Sequence, residues 1–375
     1  MAPADSTDRK HLRRALRLAL RGRYRTAPNP RVGAVLVREG QVVGEGWHRQ
    51  VGGPHAEVEA LRAAALVAPD AARGATLYVT LEPCSHFGRT PPCADAVVQA
   101  GIARVVACVG DPNPQVAGQG FARLREAGIE VEVGALAAEA VRINLPFFVS
   151  QRLGRPAVTL KWAMSLDGKI ATVGGESRWI SSLEARKAAL ALREEHDAIL
   201  VGVGTVRADD PILNRRSGRA IGPIVRVVLD RRLRTPTSAR MFVFAGPVVI
   251  FTESDDEGRR AALAAAGAEV IRLPAVEPRA VLAALFERGV RSVLVEGGGE
   301  IHASFVAAGM YDEVRVDAAP LLLGGKAAPA PLGGEGFARM DEAPRLERMD
   351  VTHAGGDVIL SALRAGCLEE LLRGV

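Results

Sequence analysis

Apolar and polar positions along residues 32–149 alternate between the period of a strand and the period of a helix. The segments VGAVLV and QVVGEGWH flank Glu39 and Gly40, and this pattern predicts a β-hairpin. After it, helices that begin near residue 55, at Cys93 and near residue 120 alternate with the strands ATLYVTL, RVVACVG and IEVEVG. Together with a leucine-spaced helix at the N-terminus, the pattern predicts an α/β layered domain over residues 1–149.

A second run of the same alternation follows the stretch NLPFFVSQRLGRP, whose two prolines and glycine predict a break between domains. Strands are predicted at AVTLKWAMS, AILVGV, IVRVVLD, PVVIFT, AEVIRL, SVLVEG and EVRVDAA. Helices are predicted over 182–196, 256–266, 277–288 and 299–309. Ser181, Ser182, Leu183 and Glu184 read as a capping box for the first of these helices. Residues 150–375 are therefore predicted to form a second α/β domain with its own core.

The composition limits the class of protein. A chain of 375 residues exceeds the size of one ordinary core, and 48% hydrophobic with 24% charged residues indicates a folded globular protein. Four cysteines are too few for a disulfide scaffold, and paired cysteines in a reducing compartment indicate metal binding or catalysis instead. The N-terminal segment lacks the apolar core of a signal peptide, and no apolar run reaches membrane-spanning length. We therefore expect a cytoplasmic protein, whose net charge of +5 suits anionic substrates.

His55 and Glu57 lie either side of an alanine where a helix is predicted to begin, and Cys84 and Cys93 follow the next strand. The first pair could be an ordinary helix start, and the cysteines could be unrelated buried thiols. Taken together, one imidazole and two thiolates supply three zinc ligands and leave a fourth position for water, as in catalytic zinc sites. Glu57 could then carry protons from that water to a ring nitrogen and to departing ammonia. Because positions i and i+2 of a regular helix point apart, this hypothesis requires His55 to lie in an irregular first turn.

The sequence H-x-E followed by P-C and a second cysteine resembles the signature of the zinc-dependent nucleobase deaminases. Those enzymes commonly have C-x-x-C, whereas eight residues separate Cys84 from Cys93. The longer spacer CSHFGRTPPC and the upstream PNPRVGAVLV resemble the deaminase half of the bifunctional riboflavin biosynthesis proteins. The resemblance implies a cytidine-deaminase-like layered domain, with zinc bound by His55, Cys84 and Cys93, Glu57 as the catalytic proton carrier, and His86 as a loop or substrate contact.

Segments of residues 157–363 resemble the reductase half of the same proteins, which implies a dihydrofolate-reductase-like α/β domain and NADPH as its cofactor. The matching segments are LKWAMSLDGKIA, GESRWISS, ILVGVGTVRADDP, VVLD and LVEGGGEI. The residues that the resemblance assigns to the cofactor are Ala163, Trp179, Thr205, Asp209, Arg231, Gly298, Gly299, Glu300, Ile301 and His302. Those that it assigns to the substrate are Lys161, Ser177, Arg193, Leu213, Arg216 and Glu296.

Physical reasoning alone leaves several of these assignments open. The segment VEGGG ends a strand and opens a helix, which suits either a phosphate cradle or a purely structural glycine turn, and the glycines of ILVGVGT have the same two explanations. Arg193 and Arg216 could bind a phosphate ester through their guanidinium groups, or could belong to a solvated helix face and a basic loop. Trp179 could be a core aromatic residue, Asp209 could lie in a simple turn, and Arg231 could meet the 2′-phosphate of NADPH.

The resemblance implies two consecutive steps of riboflavin synthesis. The first is the hydrolytic deamination of 2,5-diamino-6-ribosylamino-4(3H)-pyrimidinone 5′-phosphate, and the second is the NADPH-dependent reduction of its ribosyl chain to ribityl. We expect this small phosphorylated pyrimidine as the partner, no nucleic acid or membrane, and a homo-oligomeric assembly. A nucleic-acid base deaminase with an accessory binding domain is the alternative enzyme, although 4% aromatic residues and dispersed basic residues disfavour it. A zinc-stabilised interaction protein is the non-enzyme alternative, and it leaves Glu57 without a role.

Overall fold

The computed structural model describes residues 6–85, 92–114, 116–216 and 221–374, which divide into two compact units. The described residues up to Gly154, together with those from Leu368 onwards, form the first unit, and Arg155–Cys367 form the second. Within these described ranges, no helix combines the length and the apolar character needed to cross a lipid bilayer. Both units mix helices with a sheet, so the predicted α/β class is confirmed.

The first unit is built on a five-stranded sheet with helices packed on it. Its strands are β1 (Gly33–Arg38), β2 (Gln41–Trp47), β3 (Thr76–Val79), β4 (Arg104–Ala107) and β5 (Glu130–Val133). Its helices are α1 (Ser6–Ala19), α2 (Ala56–Val67), α3 (Cys93–Gln99), α4 (Gln119–Glu126), α5 (Ala137–Ile143) and α6 (Leu145–Leu153). The predicted hairpin is the pair β1 and β2, and the strands and helices predicted after it, through β5, all occur.

The direction of the strands brings two loops to one edge of this sheet. The order is β2-β1-β3-β4-β5, with β1 antiparallel to both of its neighbours and β3, β4 and β5 parallel. Since β2 and β3 are both antiparallel to β1, they point the same way, and the loops that carry His55 and Cys84 leave the sheet at the same edge. Strands β2 and β3 are not neighbours. In the structure β1 lies between them, and the shared direction is what brings them together.

Helix α2 approaches strand β2 closely. Ala56, Ala60 and Ala64 form the buried side of α2 and have no exposed surface. A side chain at Gly46 would overlap the carbonyl oxygen of Ala56, and a side chain at Gly44 would overlap that of Ala60. Alanine on the helix and glycine on the strand therefore let the two backbones come together. This contact fixes the position of the α2 N-terminus at the edge of the sheet.

The second unit has a nine-stranded sheet. Its strands are β6 (Ala157–Ser165), β7 (Ala198–Gly202), β8 (Val225–Leu229), β9 (Val248–Thr252), β10 (Ala268–Arg272), β11 (Ser292–Val295), β12 (Glu313–Ala319), β13 (Leu346–Ala354) and β14 (Asp357–Arg364). Its helices are α7 (Leu183–Leu192), α8 (Val203–Asp209), α9 (Glu257–Ala265), α10 (Pro278–Glu287) and α11 (Gly299–Ala307). The last helix, α12 (Cys367–Leu372), belongs from Leu368 onwards to the first unit. The 3-10 turn at Leu20–Gly22 also lies in the first unit, and those at Arg193–Glu195 and Arg240–Phe242 lie in the second.

Seven neighbouring strands of this sheet, from β10 at one edge to β12, are parallel. The order is β10-β9-β8-β7-β11-β6-β12-β14-β13, and only the pairings of β14 with β12 and with β13 are antiparallel. Alternate residues of β7 enter different cores: Leu200 packs in one hydrophobic cluster, and Ile199 and Val201 pack in another. Both faces of the strand are therefore buried, which explains its continuous apolar sequence. The carboxyl ends of β6, β7 and β11 meet at one edge, where ligands bind in open α/β sheets.

The stretch NLPFFVSQRLGRP contains the division between the two units, after Gly154, but most of it is helical rather than irregular. It contains helix α6, with Pro146 in the first turn and Gly154 at the C-cap with φ of 61°. A proline in the first turn lacks only an N–H that a helix leaves unpaired there, and glycine adopts the left-handed cap without strain. The three residues that predicted an interruption therefore mark the two ends of a helix and, at Pro156, the approach to β6.

The start of α7 and the C-terminal strands also differ from the prediction. Ser182, not Ser181, is the N-cap: its hydroxyl accepts the N–H of Ala185 at 3.2 Å and donates to the carbonyl of Ala354 at 3.1 Å. The helix start is thus set by the hairpin of β13 and β14, which the sequence pattern did not predict. Strand β13 is exposed along nearly its whole length, so it lacks the apolar alternation by which a strand is recognised.

A buried ion pair ties α1 to the first sheet. The carboxylate of Asp8 accepts two hydrogen bonds from Arg104 on β4, at 3.0 and 2.9 Å, and one from the Tyr78 hydroxyl on β3 at 2.8 Å. Asp8 is only 4% exposed. The hydrogen bonds from Arg104 hold the pKa of Asp8 below its usual range, although burial opposes this shift. The pair therefore stabilises the fold when the carboxyl is ionised.

We expect Asp8→Asn to lower the free energy of unfolding by about 2–3 kcal/mol at neutral pH, because it removes a buried charge whose partner remains. The pKa of Asp8 is lowered in the folded state. Its contribution to stability is therefore fully present above the unfolded-state pKa and is lost as the pH falls through the folded-state pKa. The difference between variant and wild type should therefore shrink in acid. Thermal unfolding across pH measures both effects. Arg62→Ala, which removes a pair with a largely exposed arginine, is the control and should change stability by less than about 0.5 kcal/mol. An equal loss in both variants would contradict the prediction.

Candidate active sites

The irregular helix start that the sequence argument required at His55 is present. His55 is the N-cap of α2 with φ of −77° and ψ of 166°, which is extended backbone, and Glu57 lies in the first helical turn. The bend between them lets an imidazole and a carboxylate two residues apart face the same point. The Glu57 side chain is buried, with 3% exposed. The pair is therefore more than a helix start, since a carboxylate that only complemented the helix dipole would lie in solvent.

Two cysteines complete the cluster. Cys84 lies in the loop after β3, and Cys93 is the first residue of α3. The Nδ1 atom of His55 is 3.2 Å from the sulfur of Cys93 and 3.5 Å from the sulfur of Cys84. The backbone N–H of Cys93 donates to the Cys84 sulfur at 3.3 Å, and the N–H of Ala94 donates to the Cys84 carbonyl at 3.1 Å. The start of α3 thus holds Cys84 in place.

The electrostatics of the cluster favour one ionised thiol. A hydrogen bond from the Cys93 thiol, with others from the His55 ring and the Cys93 backbone, lowers the pKa of Cys84 to about 4. The Cys84 thiolate in turn raises the pKa of Cys93 and of His55. Burial raises the pKa of Glu57 to about 7, with His55 opposing the shift. A divalent cation at this point would replace these mutual hydrogen bonds by bonds to the metal.

The donor set fits zinc. The three ligand atoms of His55, Cys84 and Cys93 lie within 4.8 Å of one another, and no other such group of three occurs in the described part of the chain. Ligands of tetrahedral zinc, at about 2.0 Å for nitrogen and 2.3 Å for sulfur, would be about 3.5 Å apart. The two nitrogen-to-sulfur distances, 3.2 and 3.5 Å, are close to that value. Three protein ligands of this kind leave one coordination position for a water molecule.

Glu82 is a structural contributor that the sequence reasoning missed. Its buried carboxylate accepts four backbone N–H groups, from Asp111 and Gly118 at 3.0 Å, from Gly120 at 2.8 Å and from Phe121 at 3.3 Å. These bonds fasten the segment after β4 and the first turn of α4 to the loop that carries Cys84. A carboxylate two residues before a cysteine gives no sequence signal of this role, because its partners are main-chain groups.

His48 is a second residue that the sequence reasoning missed. It is 3% exposed, and its ring lies edge-on to the His55 ring with centroids 5.4 Å apart. Its Nδ1 is 3.0 Å from the Pro54 carbonyl oxygen, and its Nε2 is 3.3 Å from the side-chain nitrogen of Asn29. Burial lowers the pKa of His48, so the neutral ring is favoured. His86, assigned as a loop or substrate contact, lies outside the described residues.

In the second unit, the glycines near the ends of β7 and β11 fall into two groups. Three are packed: a Cβ would lie 2.8 Å from Ile301 side-chain atoms at both Gly202 and Gly297, and 2.7 Å from the carbonyl oxygen of Ala330 at Gly299. These positions need glycine for close packing. The structural explanation therefore holds for them.

Gly204 and Gly298 border open space instead. A Cβ at Gly204 would meet no atom within 4 Å, and one at Gly298 would meet only the Thr205 hydroxyl at 3.9 Å. Gly298 is the N-cap of α11, with φ of −69°, which needs no glycine. The two strands before these glycines are parallel neighbours. The space beside Gly204, Thr205 and Gly298 is thus a cradle that larger side chains would fill, at the strand edge where a nucleotide phosphate can bind backbone N–H groups.

Charged side chains assigned to the substrate meet near this edge. Arg193 donates to both oxygens of Glu296, at 3.0 and 2.6 Å, and to the carbonyl of Asn214 at 3.3 Å. Its side chain is 14% exposed, so it does not lie on a solvated helix face. Lys161 is 12% exposed and forms an ion pair with Asp317 at 3.0 Å. Arg193 lowers the pKa of Glu296, and Lys161 contributes, against a strong opposing effect of burial. Asp317 did not appear among the sequence-predicted residues.

Other assigned residues lie outside the cores. Trp179 is 69% exposed with the Arg186 guanidinium 4.0 Å from its ring centroid, so it is not a core aromatic residue. Asp209 ends helix α8, and its carbonyl accepts a hydrogen bond from Arg178 at 2.5 Å. Arg231 is exposed and pairs with Glu253 at 3.3 Å. Arg216 is exposed, with its Nε donating to the side-chain oxygen of Asn214 at 3.2 Å. Ala163 and Ser177 are partly buried, on β6 and before α7.

Three assigned residues have their side chains committed within the unit. Both ring nitrogens of His302 face carbonyl oxygens, of Pro331 at 3.1 Å and of Val295 at 3.3 Å, and burial lowers its pKa. Leu213 is 2% exposed at φ of 53°. The exposed Glu300 accepts the N–H of Gly334 at 3.3 Å. A ligand would therefore meet the backbone of this region more readily than these side chains.

Comparison with known proteins finds a matching family model in each half of the chain. Residues 156–370 match the family model of the RibD C-terminal domain, and residues 5–109 match that of the cytidine and deoxycytidylate deaminase zinc-binding region. The riboflavin biosynthesis protein RibD of Bacillus amyloliquefaciens is 46% identical over 357 residues, which cover 94% of this chain and 95% of that protein.

Two solved structures are similar over nearly their full length. RibD of Acinetobacter baumannii is 38% identical with a TM-score of 0.82, and the match covers 96% of this chain and 99% of that one. A diaminohydroxyphosphoribosylaminopyrimidine deaminase/5-amino-6-(5-phosphoribosylamino)uracil reductase of Thermotoga maritima is 35% identical, with the same TM-score and the same coverage. With a zinc-binding deaminase region followed by an NADPH-dependent reductase domain, the chain belongs to the RibD family of bifunctional riboflavin biosynthesis enzymes.

Proposed function

We propose that residues 1–149 deaminate 2,5-diamino-6-ribosylamino-4(3H)-pyrimidinone 5′-phosphate and that residues 150–375 then reduce the ribosyl chain of the product. The final product is 5-amino-6-ribitylaminouracil 5′-phosphate. The observation that carries the proposal is the convergence of His55, Cys84 and Cys93 beside the buried carboxylate of Glu57. The activity in the name of the Thermotoga maritima relative supports the choice of substrate.

In the deamination step, His55, Cys84 and Cys93 would hold the zinc ion. When bound, zinc would make a water molecule nucleophilic near neutral pH. Glu57 accepts one proton from the attacking water and delivers it to a ring nitrogen of the pyrimidine. Glu57 then moves the second proton of that water, from the added hydroxyl group, to the amine, which leaves as ammonia. Its burial beside the cluster keeps the carboxyl out of bulk water, so the proton passes to the substrate. Glu82 keeps the Cys84 loop in position through its backbone hydrogen bonds.

In the reduction step, the open space at Gly204 and Gly298 admits the phosphates of the cofactor, and the start of α11 offers its N–H groups to them. NADPH supplies a hydride. The remaining residues of the cofactor site are Ala163, Trp179, Thr205, Asp209, Arg231, Gly299, Glu300, Ile301 and His302. Lys161 and Glu296 polarise or position the opened ribosyl chain, with Ser177 and Leu213 beside it. Arg216 and the free donors of Arg193 bind the 5′-phosphate.

The same proposal includes the setting of the enzyme. It acts on a free nucleotide in the cytoplasm, as a homo-oligomer, without nucleic acid. A reducing compartment suits the ligand set, because oxidation of Cys84 or Cys93 would destroy it.

A two-stage assay on the full chain tests the function. The diamino-pyrimidine nucleotide is supplied first and ammonia is measured, and NADPH is then added and the fall in its absorbance is followed. Ammonia release followed by NADPH oxidation supports both steps. Ammonia release from RNA, with none from the free nucleotide, would favour a nucleic-acid base deaminase instead.

Glu57→Gln should reduce ammonia release by at least about a hundredfold, because it removes the proton carrier. Zinc content should not change, since no ligand is lost. The matched control is Glu59→Gln, in the same helical turn, whose carboxylate pairs with Arg49 at 3.0 Å and Arg62 at 3.1 Å. Turnover and metal analysis are measured on both variants. Turnover by Glu57→Gln at the wild-type rate would reject the role of Glu57.

Cys93→Ser should lower the zinc content of the purified protein, because an alcohol replaces a thiolate poorly at zinc. The control is Cys108→Ser, which alters a buried thiol whose pKa is raised to about 12 by burial and which lies outside the cluster. Metal analysis after dialysis against a weak chelator measures the zinc content of both variants. Equal zinc occupancy in both variants would exclude Cys93 as a ligand.

Arg216→Ala should raise KM for the phosphorylated substrate of the reductase step by about tenfold, because one charge-assisted contact with phosphate is lost. Since Arg216 is exposed, thermal unfolding should not change. Steady-state rates are compared for substrate with and without its 5′-phosphate. Arg279→Ala, another exposed arginine, on α10, is the control. A KM increase of the same size for the dephosphorylated substrate would show that Arg216 does not contact the phosphate.

A further inference from the structure

A chain of alternating charges runs across two neighbouring strands of the second sheet, β6 and β12. Lys161 on β6 pairs in register with Arg315 on β12, and Ala163 pairs with Asp317, so Lys161 and Asp317 are diagonal neighbours on one face. The Lys161 ammonium is 3.0 Å from Oδ2 of Asp317, and Nε of Arg315 is 3.4 Å from Oδ1. The carboxylate of Asp317 therefore uses one oxygen for each cation.

Asp317 is buried, and its Oδ2 contacts Lys161 as an ion pair without hydrogen-bond geometry. Its side chain has no exposed surface, whereas those of Lys161 and Arg315 are 12% and 16% exposed. A buried carboxylate is expensive unless cations compensate it, and here two do. Arg315 alone could stabilise the charge of Asp317. The contact between Asp317 and Lys161 therefore acts mainly on Lys161, because a fixed carboxylate orients a flexible side chain.

Glu296 is not available to do this. It lies near enough to Lys161 to interact with it electrostatically, but it directs both oxygens at Arg193, at 3.0 and 2.6 Å. Of the two carboxylates, Asp317 is the one that contacts the ammonium group directly. Its backbone lies in a regular strand with paired neighbours on both sides, so the position of the carboxylate is rigid.

We propose that Asp317 is a positioning residue of the reductase site, which holds the Lys161 ammonium at the place where it meets the ribosyl chain. The inference rests on the proposed role of Lys161 in the reduction. Asp317 itself need not touch substrate or cofactor. Its removal would leave Lys161 present but mobile, so the loss would fall on kcat more than on KM.

A double-mutant cycle tests this on the full chain, with the deaminated nucleotide and NADPH supplied directly. Asp317→Asn should lower kcat of the reductase step by about tenfold or more, and Lys161→Met should lower it further. The double variant should be no slower than Lys161→Met alone, because Asp317 acts through Lys161. Asp317→Glu, which keeps the charge, should recover part of the rate. Calorimetry of nucleotide binding without NADPH should show a smaller change than kcat does.

Asp312→Asn is the matched control. The Asp312 carboxylate is equally buried and is also paired with an arginine, Arg155, at 2.7 and 2.8 Å, but its third partner is the backbone of Val158 and not a lysine. It should lower thermal stability and leave kcat within about twofold below the unfolding range. Ammonia release is the internal control for the first unit and should not change in any variant.

The outcomes separate the inference from the proposed function. Wild-type kcat in Asp317→Asn, with a slow Lys161→Met, overturns the inference alone. The inference is also overturned if the reductions in kcat of the two single variants multiply in the double variant, because Asp317 would then act independently of Lys161. A normal rate in Lys161→Met overturns the proposed role of Lys161 and the inference with it. If Asp317→Asn does not fold, the same double-mutant cycle is measured with Asp317→Glu. The displaced carboxylate of this variant should lower kcat when Lys161 is present and should have no effect in the Lys161→Met background.

Discussion

The close approach of α2 to β2 is the constraint on which the zinc cluster depends. Two glycines of the strand and the alanine face of the helix let the two backbones come together. This contact sets the position of the N-terminus of α2. His55 can then adopt extended backbone at the N-cap while Glu57 is already helical, so their side chains converge. A larger residue at Gly46 would lift the helix start, and with it both groups, away from the cysteines. The packing of α2 on β2 at Gly44 and Gly46 thus decides how the side chains of the cluster are arranged.

Four buried carboxylates, Glu82, Asp8, Asp317 and Glu57, have partners of three different kinds, and the difference reflects what each carboxylate does. Glu82 accepts four backbone N–H groups and joins two loops. Asp317 and Asp8 are paired with cations, which hold each carboxylate in a fixed place. Glu57 has a histidine and a thiol beside it, and burial raises its pKa. A carboxyl that must exchange a proton cannot be held by strong fixed donors, since these would keep it ionised. The partners of each carboxylate therefore separate structural anchors from a proton carrier.

Much of the fold follows from the sequence where each element has one buried face. The hairpin, the central strands of both sheets and helices such as α9, α10 and α11 have the apolar periods that predict them. The helix α6 could not be recognised, because Pro146 and Gly154 mark its ends and the same residues also mark loops. Strand β13 could not be recognised either, since it lies at the edge of the sheet and is exposed along its length. The N-cap at Ser182 depends on contacts with Ala354 and Asp357, which are distant in sequence.

The two sites differ in how far the sequence reveals them, and the reason is chemical. Catalytic zinc is commonly bound by sulfur and imidazole, and cysteine and histidine are rare side chains, so His55, Cys84 and Cys93 could be singled out before their distances were known. The proposed second site relies on open backbone and on charges that are common on any surface, so the resemblance to known reductases was needed to assign its residues. The resemblance did not select Asp317 either, because its proposed role depends on a diagonal contact across two strands. A residue that acts by orienting another has no chemical signature of its own, and it becomes visible only when the register of the sheet is known.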